Sequence, residues 1–260
     1  MSEINNTIDV LGDDITVSKI IDKSIDTFSD SVLTSIGDYA FSGCYQLTEA
    51  SFSAATSIGG NAFQSCSQLT EVSFPAATSI GERAFYNDGQ LTALSFPLVT
   101  SIGNWAFQYC NGLTEVSFPL IETITSYAFA DCSNLAAISF PAATSIRDYS
   151  FQNCIKLTEV SFPLVTSIRD NVFRECSKLT KASFPLVTSI GTYAFKSCSQ
   201  LTKVILGNTQ QVCTLSNQNA FDNATNAIIY VPDALVDSYK AATNWSAYAD
   251  RIKSMNELPA

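Results

Sequence analysis

Histidine is missing altogether from the 260 residues. Its absence removes Ser-His-Asp and Cys-His nucleophilic sites, histidine general bases and histidine metal ligands together. No phosphate-binding glycine loop, paired-carboxylate setting or nucleophile constellation is present. No two cysteines have the CxxC spacing of a metal site. The chain therefore reads as a non-enzyme, with no cofactor and no metal. Apolar runs are short, and none approaches the roughly 18 to 20 residues of a membrane span. Positive charge is scarce: the formal net charge is -10, which argues against nucleic acid or an anionic membrane surface as a partner. The shortage is uneven, because residues 1 to 130 hold 3 basic and 14 acidic side chains while residues 131 to 260 hold 11 and 10. The N-terminus, MSEINNTIDVLGDDITVSKIIDKSIDTF, lacks a positive start followed by an unbroken apolar run of seven or more residues, so it does not read as a secretory signal. As written, the chain is expected to stay in the cytoplasm. A removed leader would place it at the cell surface or outside the cell, and a phage origin would place it in a virion.

What is abundant is apolar surface. Hydrophobic residues make up 46% of the chain, with 17 Phe and 10 Tyr, far more than disorder allows and enough for a substantial core. That surface is periodic. Leucine recurs at Leu47, Leu69, Leu91, Leu113, Leu135, Leu157, Leu179 and Leu201, so seven full units of 22 residues run from 47 to 200 with the consensus LTxVSFPxxTSIGxxAFxxCxx. In LxxVxF the valine and phenylalanine are two apart, as in Val72 and Phe74, which puts both on the inner face of a strand with Glu71 and Ser73 outside. Proline follows at Pro75, Pro97, Pro119, Pro141, Pro163 and Pro185 and turns the chain out of the strand. A second short segment reaches isoleucine, and AFxxC then closes the unit, with phenylalanine and cysteine one helical or 3-10 turn apart. No unit can hold this core alone; stacked in register, the units bury continuous columns.

The residues LxxVxFP, TSIG and AFxxC resemble the bacterial leucine-rich repeats of the BspA-like type over roughly residues 32 to 221. The resemblance implies a leucine-rich-repeat solenoid of parallel β coils with short helical or 3-10 turns, curved, with a sheet along one side. It also implies a family found mostly on or near the surfaces of host-associated bacteria. Three regions are expected: an N-terminal arm and cap over 1–31, the solenoid over 32–221, and a mixed β/α C-terminal cap over 222–260. In the first, Ile25 and Phe28 take the Leu and Val positions of a degraded unit. In the last, Val231, Leu235, Tyr239, Trp245 and Tyr248 are available to cover the end.

Seven cysteines fall in register from Cys44 to Cys198, with Asp88 filling the missing rung. Rungs about 4.8 Å apart permit a disulfide by distance, but equivalent side chains in a stack point the same way, so buried thiols acting as small hydrophobes are expected. Asp88 and Gly89 read as a turn, with an ion or ligand notch as the alternative. Two surfaces are candidates for binding. On the strand face, columns of Ser and Thr flank a third column whose charge changes sign: Glu49, Glu71, Ala93, Glu115, Ala137, Glu159, Lys181 and Lys203. The other surface is the position before AF, occupied by Tyr39, Trp105, Tyr127, Tyr149 and Tyr193, with Asn61, Arg83 and Asn171 interleaved. Rings on a rigid surface could stack on sugars or anchor a protein interface. The reading is a non-catalytic, adhesin-like scaffold that binds a protein or glycan; the alternative is a structural component of a phage or prophage-derived assembly. The sequence leaves the oligomeric state open.

Overall fold

The computed structural model describes the backbone of residues 6–11, 14–20 and 25–259 and the side chains of residues 25–259. The side chains of the expected N-terminal arm before residue 25 lie outside this set. The chain forms a stack of coils held by three ladders. The front ladder pairs Thr27–Asp30, Glu49–Phe52, Glu71–Ser73 and Ala93–Ser95, all parallel and each offset by one repeat, so that Glu49 meets Glu71 and Ser51 meets Ser73. Glu115–Ser117 pairs with Ala137–Ser139, and a third run continues from Glu159–Ser161 through Lys181–Phe184, Lys203–Leu206 and Ile228–Val231 to Ile252–Ser254. A side ladder joins the two-residue strands that end in isoleucine, such as Ser57–Ile58 to Ser79–Ile80. Asn6–Leu11 and Asp14–Ile20 form an antiparallel hairpin whose second strand starts this side ladder against Ser35–Ile36.

The third ladder runs along the back, through the AFxxC turns. Alternate residues donate to the next coil: in one unit Tyr39 N bonds Gly60 O, Phe41 N bonds Ala62 O and Gly43 N bonds Gln64 O. The residues between them, Ala40, Ser42 and Cys44, bond three residues back. The tight turns expected from AFxxC are therefore present, but alternate donation requires two left-handed residues per coil. One is the residue before AF and the other the residue before Cys, as at Asn61 (φ 54°) and Ser65 (φ 60°).

Inside the coils the phenylalanines form two stacked columns. Phe41, Phe63, Phe85 and Phe107 follow one another at 4.9 to 5.2 Å with nearly parallel rings, and the strand phenylalanines stack beside them. Phe221 extends the first column, and Phe28 packs on Phe41 and Phe52 at the other end. Each buried ring contributes about 1.5 to 3 kcal/mol.

The cysteines are free and buried, and they do more than fill space. Six of the eight thiols donate to the phenylalanine carbonyl 25 residues earlier, from Cys66 Sγ to Phe41 O at 3.1 Å through Cys198 Sγ to Phe173 O at 3.0 Å. Burial pushes the Cys176 thiol up to about 12, so it stays protonated and can donate. The threonines of the strand face are likewise structural. Thr70, Thr92, Thr180 and Thr202 each donate both N–H and hydroxyl to the carbonyl one coil earlier, with Oγ1···O distances of 3.0 to 3.1 Å. Their hydroxyl protons are spent on the backbone of the preceding coil.

The expectation of a turn at Asp88 is corrected. Asn87 makes the turn, left-handed at φ 64°, while the Asp88 side chain is fully buried in the cysteine column. Its Oδ1 accepts from Cys66 N at 2.7 Å, and Oδ2 has no partner. Burial outweighs that single N–H and holds the carboxyl well above its ordinary value. Between the unfolded carboxyl's ordinary range near 4 and the higher folded value, the unfolded chain releases a proton that the folded chain keeps, so stability falls as pH rises through that window. Asp88→Cys restores the rung and a donor for the Phe63 carbonyl. Thermal melts should show a gain of about 1–3 kcal/mol at pH 7 and a smaller gain at pH 4; a gain independent of pH would mean that Asp88 is ionised in the fold.

Candidate functional site

The residue before AF lies on the back ladder and is left-handed in every coil where the aromatics occur: Tyr39 (φ 59°), Trp105 (58°), Tyr127 (58°), Tyr149 (61°) and Tyr193 (57°). Asn and Gly adopt this conformation readily, whereas a bulky side chain there costs about 1–2 kcal/mol. Asn61 and Asn171 fill the same position in two other coils, so the backbone alone does not call for rings.

Three of the five aromatics are brought together. Trp105 stacks on Tyr127 at 5.6 Å and Tyr127 on Tyr149 at 4.5 Å, with rings 18° and 5° from parallel. The Arg83 guanidinium covers the Trp105 ring at 4.7 Å. Arg83 also lies 6.0 Å from the Tyr86 ring, and Tyr86 meets Tyr109 edge-on at 5.5 Å. Tyr39 stands apart and is 58% exposed; Tyr193 carries the Lys196 ammonium over its ring at 4.4 Å. Because Tyr127 is covered on both faces and Trp105 is flanked by Arg83 and Tyr127, these two rings offer edges rather than open faces. Burial, then the neighbouring Tyr149, holds the Tyr127 hydroxyl above its usual value, so it is a neutral donor at pH 7. Sequence reasoning named these rings but missed Tyr86 and Tyr109, which belong to other columns, and missed the left-handed backbone. The recurring Asn, Gly, Asp and Ser before AF and before Cys were the available signal.

The charged candidates lie on the front ladder. Glu71 stands in register between Glu49 and Ala93, and Glu115 beside Ala137. Glu159 pairs with Lys181 at 3.8 Å, and Lys181 is in register with Lys203, whose ammonium reaches Pro259 O at 3.5 Å. The front ladder is interrupted on both sides of Glu115–Ser117 and Ala137–Ser139, and the side ladder lapses between Ser101–Ile102 and Thr123–Ile124. The back ladder continues across this seam, with Trp105 N to Ser126 O at 3.1 Å and Phe107 N to Ala128 O at 2.9 Å. In the coils before the seam glycine permits close approach: a Cβ on Gly103 would lie 2.3 Å from Glu82 N, although Arg147 and Arg169 fill the same position where the side ladder is intact. At the seam Thr125 stands in that place, and Glu122 replaces the threonine whose hydroxyl ties Thr100 to Thr78. The opening leaves a cleft of about 430 Å3 lined by Leu94, Phe96, Val116, Phe118 and Ile138, with Glu115 among the polar residues lining it.

The description "BspA type Leucine rich repeat region" matches residues 21–114 and 122–242, in six copies. The chain belongs to the BspA-type leucine-rich repeat family. Among solved structures it is similar to a leucine-rich repeat protein of T. pallidum, with 21% identity, 75% of this chain and 87% of that chain covered, and a TM-score of 0.54. It is also similar to a leucine-rich cell surface protein of Faecalibacterium prausnitzii A2-165, with 18% identity, 96% and 93% covered, and a TM-score of 0.55. No curated protein matches. At these identities the likeness establishes the fold: a BspA-type solenoid of parallel strands with few helices. Among the described residues no helix is long and apolar enough to cross a membrane.

Proposed function

We propose that this BspA-type solenoid is a non-catalytic, adhesin-like scaffold that binds a protein through the ridge of Arg83, Trp105, Tyr127 and Tyr149. One observation carries the reading: three adjacent coils place large, half-exposed rings on left-handed backbone, where asparagine would stabilise the fold better. Strain of this kind persists where function needs it. Aromatic rings and arginine are the residues that dominate protein interfaces, and the edge-outward stack favours a protein partner over a sugar, which needs an open ring face. The similarity to a cell surface protein supports display outside the cell.

The test replaces Trp105, Tyr127 and Tyr149 together by asparagine, the residue already used at Asn61 and Asn171. The variant should melt at or above the parent temperature while its binding to immobilised extracellular-matrix glycoproteins falls at least tenfold. Binding to the same glycoproteins after deglycosylation should persist; its loss would transfer the reading to a glycan. Binding unaltered by the triple substitution would remove the ridge from the function.

A further inference from the structure

The front column carries Glu49, Glu71, Ala93, Glu115, Ala137, Glu159, Lys181 and Lys203 on eight successive coils. All of these side chains are exposed except the two lysines, which are half-buried. The order is self-complementary. A two-fold axis along the strand direction, between the rungs of Glu115 and Ala137, turns a second copy over, sets front face against front face and keeps this column opposite itself. Glu49 then faces the second copy's Lys203, Glu71 its Lys181, Ala93 its Glu159, and Glu115 its Ala137. Each charge meets an opposite charge or an alanine, and no like charges face one another. Moving the axis half a rung, onto Ala137, brings Glu115 against the second copy's Glu159. Moving it a full rung leaves Glu115 and Lys181 as the one kind of Glu–Lys pair.

We propose that this column is a self-association surface, on which a second copy of the chain docks antiparallel. The proposal is independent of the aromatic ridge, which lies on the back ladder. The neighbouring outward column is serine from Ser51 to Ser183, small enough for the faces to approach closely. Ala93 and Ala137, beside the cleft at the seam, leave the clearance into which the opposing Glu159 and Glu115 project. Eight rungs at about 4.8 Å span roughly 35 Å, and a strip about 10–15 Å wide covers on the order of 400–500 Å2 per copy, below the roughly 800 Å2 of a standard interface. The dimer is therefore weak, with a dissociation constant on the order of 100 μM, and salt-sensitive because its contacts are exposed ion pairs. Lys181 exchanges part of its contact with its own Glu159 for the opposing Glu71.

Sedimentation equilibrium between 10 μM and 1 mM tests this. In 20 mM NaCl the chain should dimerise, and in 500 mM NaCl the dissociation constant should rise at least tenfold. Lys181→Glu with Lys203→Glu, and separately Glu49→Lys with Glu71→Lys, should each give monomers at 1 mM. An equimolar mixture of the two variants should restore a dimer, which also shows that both are folded. Because the two copies' Glu115 side chains fall on neighbouring rungs, Glu115→Gln should tighten association about threefold or more. A monomeric parent in 20 mM NaCl, a dimer that survives either double substitution, a mixture that stays monomeric, or weakening by Glu115→Gln would each overturn the proposal.

Discussion

Replacing Phe129 by alanine is expected to lower the unfolding free energy by about 3–5 kcal/mol, the cost of removing a large ring from a packed interior. The melting temperature should fall by on the order of 10 °C. Phe129 is fully buried and lies within 5.9 Å of four other phenylalanine rings: Phe107, Phe118, Phe140 and Phe151. Its carbonyl accepts the Cys154 thiol at 3.2 Å and Cys132 N at 3.3 Å, so relaxation around the cavity also strains two neighbouring rungs. In a solenoid such a loss does not stay local, because each coil is stable only through its neighbours. The two tryptophans, Trp105 and Trp245, lie on opposite sides of the lesion. In urea titrations followed by the fluorescence of both tryptophans together, the parent should show one transition and Phe129→Ala two. A loss below about 1 kcal/mol, or a single transition in the variant, would show that the column is not the cooperative element.

The second large effect is expected at the C-terminal end. Trp245→Ala should cost about 3–5 kcal/mol for the ring, plus about 1–3 kcal/mol for the carbonyl it orphans. Trp245 is 1% exposed, packs against Phe221 and Tyr239, and donates Nε1–H to Cys213 O at 2.6 Å. Around it, side chains replace the coil that would have followed. The Tyr239 hydroxyl accepts from Cys213 N at 2.9 Å; the Tyr248 hydroxyl accepts from Phe221 N at 3.4 Å and donates to Gln218 O; and Arg251 donates to Ala224 O at 2.7 Å. Without the tryptophan, the last coil presents open ladder groups and the Phe221 ring, a surface prone to end-to-end aggregation. Trp245→Phe is the control: it keeps most of the packing and should lose about 1–3 kcal/mol for the orphaned carbonyl. Chemical denaturation with light scattering separates the two variants; equal losses would show that the indole N–H, and not the ring, is what matters.

How far these sites could be read in advance depends on the residue. The phenylalanine columns were legible because a side chain repeated every 22 residues must lie above its own copy, and an aromatic copied fifteen times has nowhere to go but inside. Leu, Val, Ile and Cys followed by the same logic. Ile25 and Phe28 were placed correctly because a degraded unit still obeys the register. Asp88 was misread because a carboxylate ordinarily marks the surface, and the neutral form that permits its burial depends on surroundings supplied by other coils. The threonine columns were legible as part of the strand face, but not their hydroxyl bonds, because the carbonyl each one meets belongs to the preceding coil.

The candidate surfaces were legible as positions, not as arrangements. A variable aromatic before AF was visible, but its left-handed backbone was not, since a single unit carries no record of the donor that must point at the next one. Nor did spacing reveal that Trp105, Tyr127 and Tyr149 hide their faces against one another. The seam at Glu115 was equally hidden, although Glu122 and Thr125 were visible departures from the consensus.

The amino-acid sequence by itself determined the period, the register and the identity of the buried columns, because a strict repeat of apolar side chains admits one way of stacking that keeps them dry. Only the tertiary structure decided which polar groups are spent on the neighbouring coil, which rings cover one another, where the ladders part and how the last coil is closed. Those outcomes depend on contacts between residues 22 or more positions apart, whose geometry exists only once the coils lie against each other.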